Sequence, residues 1–196
     1  MKFTSLLFCL LFPIIMNAQD ESKLPYHQIP DSYESYSPGN IMARMIDGLG
    51  YRFYWATENL SDKDLQYRPT SEASSSMETI QHLYGLAKTI HNLSSNEMNI
   101  RPVDYSTMTY KEAREKTLLL LEKASKNFQN KSAEDLEKLE VKFQRGERTN
   151  SFPLWNGING PITDAIYHVG QIVSFRRTTG NPLHPGVSVF SGKTKE

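Results

Sequence analysis

The chain of 196 residues contains a single cysteine, Cys9, and has no excess of charge of either sign. One cysteine cannot form an intramolecular disulfide, so any metal site elsewhere must use histidine, carboxylate or amide groups. The 22 basic residues balance 22 acidic ones, and without a basic excess we expect no nucleic-acid partner. Hydrophobic residues nevertheless make up 38% of the chain, which is enough for one core and excludes a disordered protein.

The most apolar stretch lies near the N-terminus, from residue 4 to residue 16, directly after Lys2. A positive start, a short apolar run and a small residue at Ala18 are typical of a secretory signal peptide. We therefore expect residues 1–18 to be cleaved on export to the periplasm or the extracellular space, leaving no stable membrane anchor. The alternative is an uncleaved anchor, although a spanning helix needs about 20 apolar residues. Cleavage removes Cys9 and one lysine, and the mature chain then has a net charge of −1.

Residues 19–38 are polar and contain three prolines. This composition predicts an extended arm that lies across the domain surface. Residues 39–196 show neither an interdomain linker nor an internal repeat, so they are expected to form one domain.

Apolar residues recur at the helical period in four segments, which predicts four long helices. We place these helices at residues 39–60, 76–95, 110–129 and 161–179. Ser75 with Glu78, and Thr109 with Glu112, form capping-box patterns at the second and third helix starts, and Gly180 ends the fourth. Strand signals are too few for a sheet. The prediction is therefore an all-α four-helix bundle with an extended N-terminal arm and an irregular C-terminal tail.

The region between the third and fourth helices is harder to assign. Ser132 and Asp135 can cap a short helical turn. Residues 139–143 alternate in polarity and are either an isolated strand or an extended loop. The glycines and proline of residues 157–161 predict a turn that leads into the fourth helix.

Asp164 and His168 are four residues apart on the fourth helix, so their side chains share one face. His82 lies beside the apolar stripe of the second helix. If these helices are neighbours, the three side chains can hold one divalent ion (Zn, Ni, Fe or Mn) and leave positions open for water or substrate. Glu78, one turn before His82, is the candidate catalytic base or a further ligand. The alternative is two hydrogen-bonded core histidines and an aspartate that interacts with the helix dipole.

The other histidines are weaker candidates. His91 is about 180° around the second helix from the candidate site, and His27 and His184 lie in irregular segments. Three further residues flank the apolar stripe of the first helix, and we expect them at the bundle surface rather than lining a pocket: Asp47, Tyr51 and Tyr54.

Two stretches of the chain resemble the DinB-like proteins. The first is NLSDKDLQYRP followed by SMETIQHLYGLA, and the second is NGPITDAIYHVGQIVSFRRTTGNP. The resemblance spans about residues 39–182 and implies a four-helix bundle with a divalent metal held by three histidines on two helices. His82 and His168 match two of those ligands, whereas Asp164 stands at the position of the third. This departure means either a His-Asp-His site or the loss of metal binding, and we expect the first because aspartate is a competent ligand.

The resemblance also implies metal-dependent chemistry, since hydrolase-like and thiol-transfer activities both occur among DinB-like proteins. An ion with open positions can acidify a bound water or thiol near neutral pH. We therefore expect an enzyme acting on a small-molecule substrate, and hydrolysis is preferred because export makes small thiols scarcer. Two alternatives are a non-catalytic bundle that binds a metal or a small ligand, and a structural module. A homodimer formed through exposed apolar stripes is a further expectation.

Overall fold

The computed structural model describes residues 24–195, so the predicted signal peptide lies outside the described residues. The helices are, in chain order, α1 (Pro38–Ala56), α2 (Asp62–Gln66), α3 (Ser76–Ser94), α4 (Tyr110–Phe128), α5 (Ala133–Glu137), α6 (Leu154–Gly157) and α7 (Thr163–Thr179), with a π-helical turn (Ile158–Ile162) between α6 and α7. The four predicted long helices are α1, α3, α4 and α7. Helices α1 and α3 each pack against both α4 and α7, so the second and fourth long helices are neighbours. No helix in the described part of the chain is both long and apolar enough to span a bilayer.

The hydrophobic core lies between the four long helices and is built from the predicted apolar stripes. Its fully buried side chains include Ile46, Leu49, Phe53, Ile80, Leu83, Ile90, Leu118, Leu121, Ile162 and Ile172. Burial of these large aliphatic and aromatic side chains is the main favourable contribution to folding.

The helix ends follow the capping signals of the sequence. The Ser75–Glu78 and Thr109–Glu112 pairs both form complete capping boxes, and Gly180 ends α7 with a left-handed φ of 92°. Helix α1 ends at Ala56 instead of residue 60. The left-handed conformation of Asn59, with φ of 53°, directs the chain away from the helical path there.

The chain is mainly helical but not all-α, so the prediction that it contains no sheet is wrong. Three strands form one sheet in the order β1–β2–β3: β1 (Met98–Arg101), β2 (Glu140–Arg145) and β3 (Arg148–Pro153). Strand β2 pairs parallel to β1 and antiparallel to β3. The predicted short helix after Ser132 is present as α5, with its own capping box. Residues 139–143 do contribute a strand, but it is paired on both sides rather than isolated.

This sheet could not be predicted from the sequence, for physical reasons. Every residue of β3 is exposed, so β3 has no alternation of buried and exposed side chains to detect. Strand β1 has only four residues, and its partner β2 lies about 40 residues further along the chain. Pairing over that distance depends on the packed bundle rather than on local sequence.

The predicted turn at residues 157–161 is also absent, because the chain remains helical from Leu154 to Thr179. Pro161 has no backbone N–H and cannot make an ordinary α-helical hydrogen bond. Pro161 lies inside the π-helical turn, and single turns of this kind occur within α-helical segments.

The N-terminal arm and the C-terminal tail pack together over α1. The tail is not wholly irregular, since β4 (Val187–Ser188) and β5 (Lys193–Thr194) form a short antiparallel pair. The Ile29 N–H donates to the Gly192 carbonyl, and the Tyr51 hydroxyl donates to the Lys193 carbonyl. Three residues that we expected at the bundle surface are buried, and that expectation is wrong: Asp47 and Tyr54 contact the arm, and Tyr51 contacts the tail.

Candidate metal centre

The adjacent helices α3 and α7 bring His82, Asp164 and His168 together. His82 lies in the second turn of α3, and Asp164 lies in the first turn of α7, one turn before His168. The π-helical turn that precedes α7 packs against α3, which places the start of α7 close to His82. One ligand atom from each residue lies within 4.8 Å of the other two.

The aspartate lies between the two imidazoles. Its Oδ2 is 3.4 Å from Nε2 of His82, and its Oδ1 is 3.3 Å from Nε2 of His168. The two imidazole rings are 4.6 Å apart between centroids and nearly perpendicular. Direct charge-assisted hydrogen bonds are usually about 2.7–2.9 Å long, so the three groups are spaced more widely than tight direct bonding requires.

This spacing fits the donor set of a divalent metal. Two ligands that are each about 2.1 Å from a tetrahedral zinc ion lie about 3.4 Å from each other. Both measured nitrogen–oxygen distances are close to that value. Two imidazole nitrogens and a carboxylate are also the ligand types that zinc and related divalent metals accept.

Gln171 determines which nitrogen of His168 is available. Its Oε1 lies 2.7 Å from Nδ1 of His168. An amide oxygen can only accept, so this contact is a hydrogen bond when Nδ1 carries the proton. In the neutral ring, Nε2 then has a free lone pair that faces the Asp164 carboxylate. A cation between these atoms would relieve the repulsion, and an outer hydrogen bond of this kind is typical of metal-binding histidines.

The centre is open to solvent. The side chains of His82 and Asp164 are 50% and 42% exposed, and that of His168 is 22% exposed. A centre this accessible leaves room for a substrate or water beside the three donors. The chain is already helical from Leu154, so Asp164 does not lie at a free helix N-terminus, and this weakens the interaction with the helix dipole that we considered as its alternative role.

Glu78 has other partners. Its carboxylate accepts a 2.6 Å hydrogen bond from the Ser75 backbone N–H and forms an ion pair of 3.2 Å with Arg68. The hydrogen bond from Ser75 is the main cause that lowers the pKa of Glu78, and a carboxylate with a lowered pKa is a weaker proton acceptor. These contacts give Glu78 a role in capping α3, and its role as a base stays a prediction.

The remaining histidines lie elsewhere. The rings of His27 and His184 both pack against Trp55, with centroid distances of 5.0 and 5.9 Å. His91 lies beside Asn92 in the last turn of α3. Within residues 24–195, the one group of three potential ligands is His82, Asp164 and His168.

Sequence reasoning assigned no role to Gln171, although a signal was present. Residues three apart on a helix are neighbours on its surface, and Gln171 follows His168 at that interval. A glutamine at this spacing from a candidate ligand is therefore worth testing as its hydrogen-bond partner.

Comparison with models of known protein families, with curated proteins and with solved structures found no match to this chain. The convergence of His82, Asp164 and His168 is therefore the feature of this chain that bears most directly on function.

Proposed function

We propose that the protein is an exported metal-dependent enzyme of the DinB-like type, a hydrolase or a thiol-transferase-like enzyme with a small-molecule substrate. The observation that carries the proposal is the convergence of His82, Asp164 and His168 from two helices, with their ligand atoms within 4.8 Å of one another. His82 and Asp164 are 82 positions apart in the sequence, so no local structural requirement brings them together.

Each side chain has a distinct part in this proposal. A divalent ion held here supplies Lewis acidity and lowers the pKa of a bound water or thiol. Asp164 contributes the negative charge that offsets the charge of the ion. Gln171 orients His168, which keeps one donor atom in place before the metal ion binds. His82 is the most exposed of the three and borders the space from which a substrate would approach.

The second candidate is a non-catalytic bundle that binds a metal or a small ligand. The observation that favours it is the engagement of Glu78 in capping α3 and in the ion pair with Arg68. This leaves solvent as the most accessible proton acceptor at the centre, and a binding protein needs no such group.

Metal content separates these candidates from a structural bundle. The mature chain, purified with and without added Zn, Ni, Fe or Mn, is expected to retain about one equivalent of metal. His168→Ala is expected to lose it, because one of three protein ligands is gone. His91→Ala is the matched control and is expected to keep its metal. Unchanged metal content in both His82→Ala and Asp164→Ala would show that the site is wrong.

Activity then separates enzyme from binding protein. Ester, amide and thiol-adduct substrates are assayed with the metal-loaded chain and with Asp164→Ala. Turnover that disappears in Asp164→Ala supports the enzyme. Stoichiometric metal with no turnover of any of the three substrate classes favours the non-catalytic alternative.

A further inference from the structure

Three arginines stand side by side across the three-stranded sheet. Arg101 of β1 is in register with Arg145 of β2, and Arg145 is directly opposite Arg148 of β3. Residues in register on adjacent strands project from the same face. The sheet therefore presents a row of three guanidinium groups on one face.

None of these three arginines forms an ion pair with a carboxylate of residues 24–195. In the described part of the chain, no carboxylate oxygen lies within 4.0 Å of these three guanidinium groups. Glu147, at the tip of the hairpin between β2 and β3, forms no such pair either. Like charges directly opposite each other destabilise a sheet, and an anion shared between the arginines would relieve this repulsion.

The arginines line a recess of about 610 Å³ together with Phe143, Phe152 and Asn150. The two phenyl rings meet edge to face at 6.4 Å between centroids, and Phe152 is 42% exposed. Positive charge on one side and aromatic surface on the other suit a ligand that has both an oxyanion and an apolar part.

Arg101 is held in place, whereas the other two arginines are more exposed. One Arg101 nitrogen donates a 3.1 Å hydrogen bond to the Thr89 hydroxyl of α3, and its guanidinium carbon lies 5.9 Å from the centroid of the Phe143 ring. Arg145 and Arg148 are exposed and can adjust to a bound group. One guanidinium group can donate two parallel hydrogen bonds to the oxygens of a carboxylate or phosphate. Three neighbouring guanidinium groups therefore form an effective oxyanion site.

We propose that this recess binds a small molecule in which a phosphate, sulfate or carboxylate group is attached to an aromatic or other apolar group. The proposal stands independently of the metal centre, because it uses none of the same residues. A small molecule fits better than a nucleic acid, since extended polyanions need a broad basic surface and this chain has as many acidic as basic residues.

Calorimetric titration with phenyl phosphate tests the proposal on the whole mature chain. We expect saturable one-to-one binding that weakens about tenfold or more in Arg145→Gln/Arg148→Gln, because each lost charge-assisted hydrogen bond weakens binding. The control Lys123→Gln/Arg177→Gln removes two exposed positive charges from α4 and α7 and is expected to bind as the parent does. Equal weakening in the control would show general charge attraction and overturn the site.

Further ligands distinguish the anionic groups and test the aromatic wall. Phenyl sulfate and benzoate show which oxyanion the arginines prefer, and saturable binding of any one of the three supports the site. Inorganic phosphate is expected to bind more weakly than phenyl phosphate. Phe152→Ala, at an exposed position, should reduce that difference without unfolding the chain. Failure of all three aromatic anions to bind, including a result in which only single-stranded DNA or anionic vesicles bind, contradicts the proposal.

Discussion

The Tyr33 hydroxyl donates a 2.7 Å hydrogen bond to Oδ2 of Asp47, which joins the N-terminal arm to the first long helix. The Tyr26 hydroxyl donates to the other oxygen at 3.2 Å. Asp47 is 1% exposed, and within residues 24–195 it has no cationic partner. Two tyrosines of the arm thus satisfy one buried carboxylate, and this contact attaches the arm to the bundle.

Replacing this carboxylate is expected to loosen the arm. Asp47→Asn keeps the size of the side chain but presents an amide nitrogen where one tyrosine now donates. We expect the free energy of unfolding to fall by about 1–3 kcal/mol, the usual range for a buried polar group with impaired hydrogen bonding. Denaturant unfolding measures the loss, and limited proteolysis should show earlier cleavage in residues 24–36. Asp31→Asn, at an exposed position of the arm, is the control. Equal stability of the two variants would rule out this role for Asp47.

The same contact predicts a loss of stability in alkali. Burial is the main cause that raises the pKa of Tyr26 above the ordinary value of 10.0, and the charge of Asp47 raises it further. Burial also raises the pKa of Tyr33. An unfolded tyrosine loses its proton near pH 10, whereas these folded ones keep theirs. Their contribution is therefore complete below pH 10 and declines as the pH rises above it.

Unfolding measured from about pH 8 to about pH 11 checks this alkaline loss. For each affected tyrosine, the free energy of unfolding is expected to fall by up to about 1.4 kcal/mol per pH unit above pH 10. Tyr26→Phe removes one titrating group and should make the decline shallower, whereas Tyr36→Phe, at an exposed position, should leave it unchanged. An identical decline in the parent and Tyr26→Phe would mean that Tyr26 is not involved.

Gln171 is expected to affect metal affinity without touching the metal. Gln171→Ala removes the acceptor that orients His168, and loss of such outer partners typically weakens metal binding about 10–100-fold. Competition with a chromogenic chelator measures this change. Ser174→Ala, at an exposed position on the same helix, should bind metal as the parent does. Parent-like affinity in Gln171→Ala would show that His168 needs no orienting group.

Gly50 tests the close packing of the arm. A Cβ added at Gly50 would overlap the ring of Tyr26, so Gly50→Ala is expected to destabilise the chain by about 1–3 kcal/mol. Gly170→Ala is the control, because a Cβ there meets nothing within 4 Å and alanine favours the helix by up to about 1 kcal/mol. Thermal unfolding distinguishes the two.

A double variant shows whether the predicted Gly50 effect arises from the arm. In Tyr26→Ala the overlapping ring is gone, so adding Gly50→Ala should cost much less than it does in the parent. Additive losses in the double variant would place the strain elsewhere.

The sequence by itself located the four long helices and the apolar stripes that form the core, although it placed Asp47, Tyr51 and Tyr54 of α1 at the surface. The stripe from Met42 to Phe53 and the capping box of Ser75 and Glu78 depend on contacts within one or two helical turns. The shared helix face of Asp164 and His168 is equally local. These features could be predicted because residues a few positions apart are already neighbours in a helix.

Only the tertiary structure decided which distant segments meet. It brought His82 to Asp164, paired β1 with a strand about 40 residues away, and buried Asp47 under the N-terminal arm. No local pattern encodes such contacts. They form because packing the bundle brings distant residues together, and the apolar area and hydrogen bonds gained there offset the chain entropy that is lost.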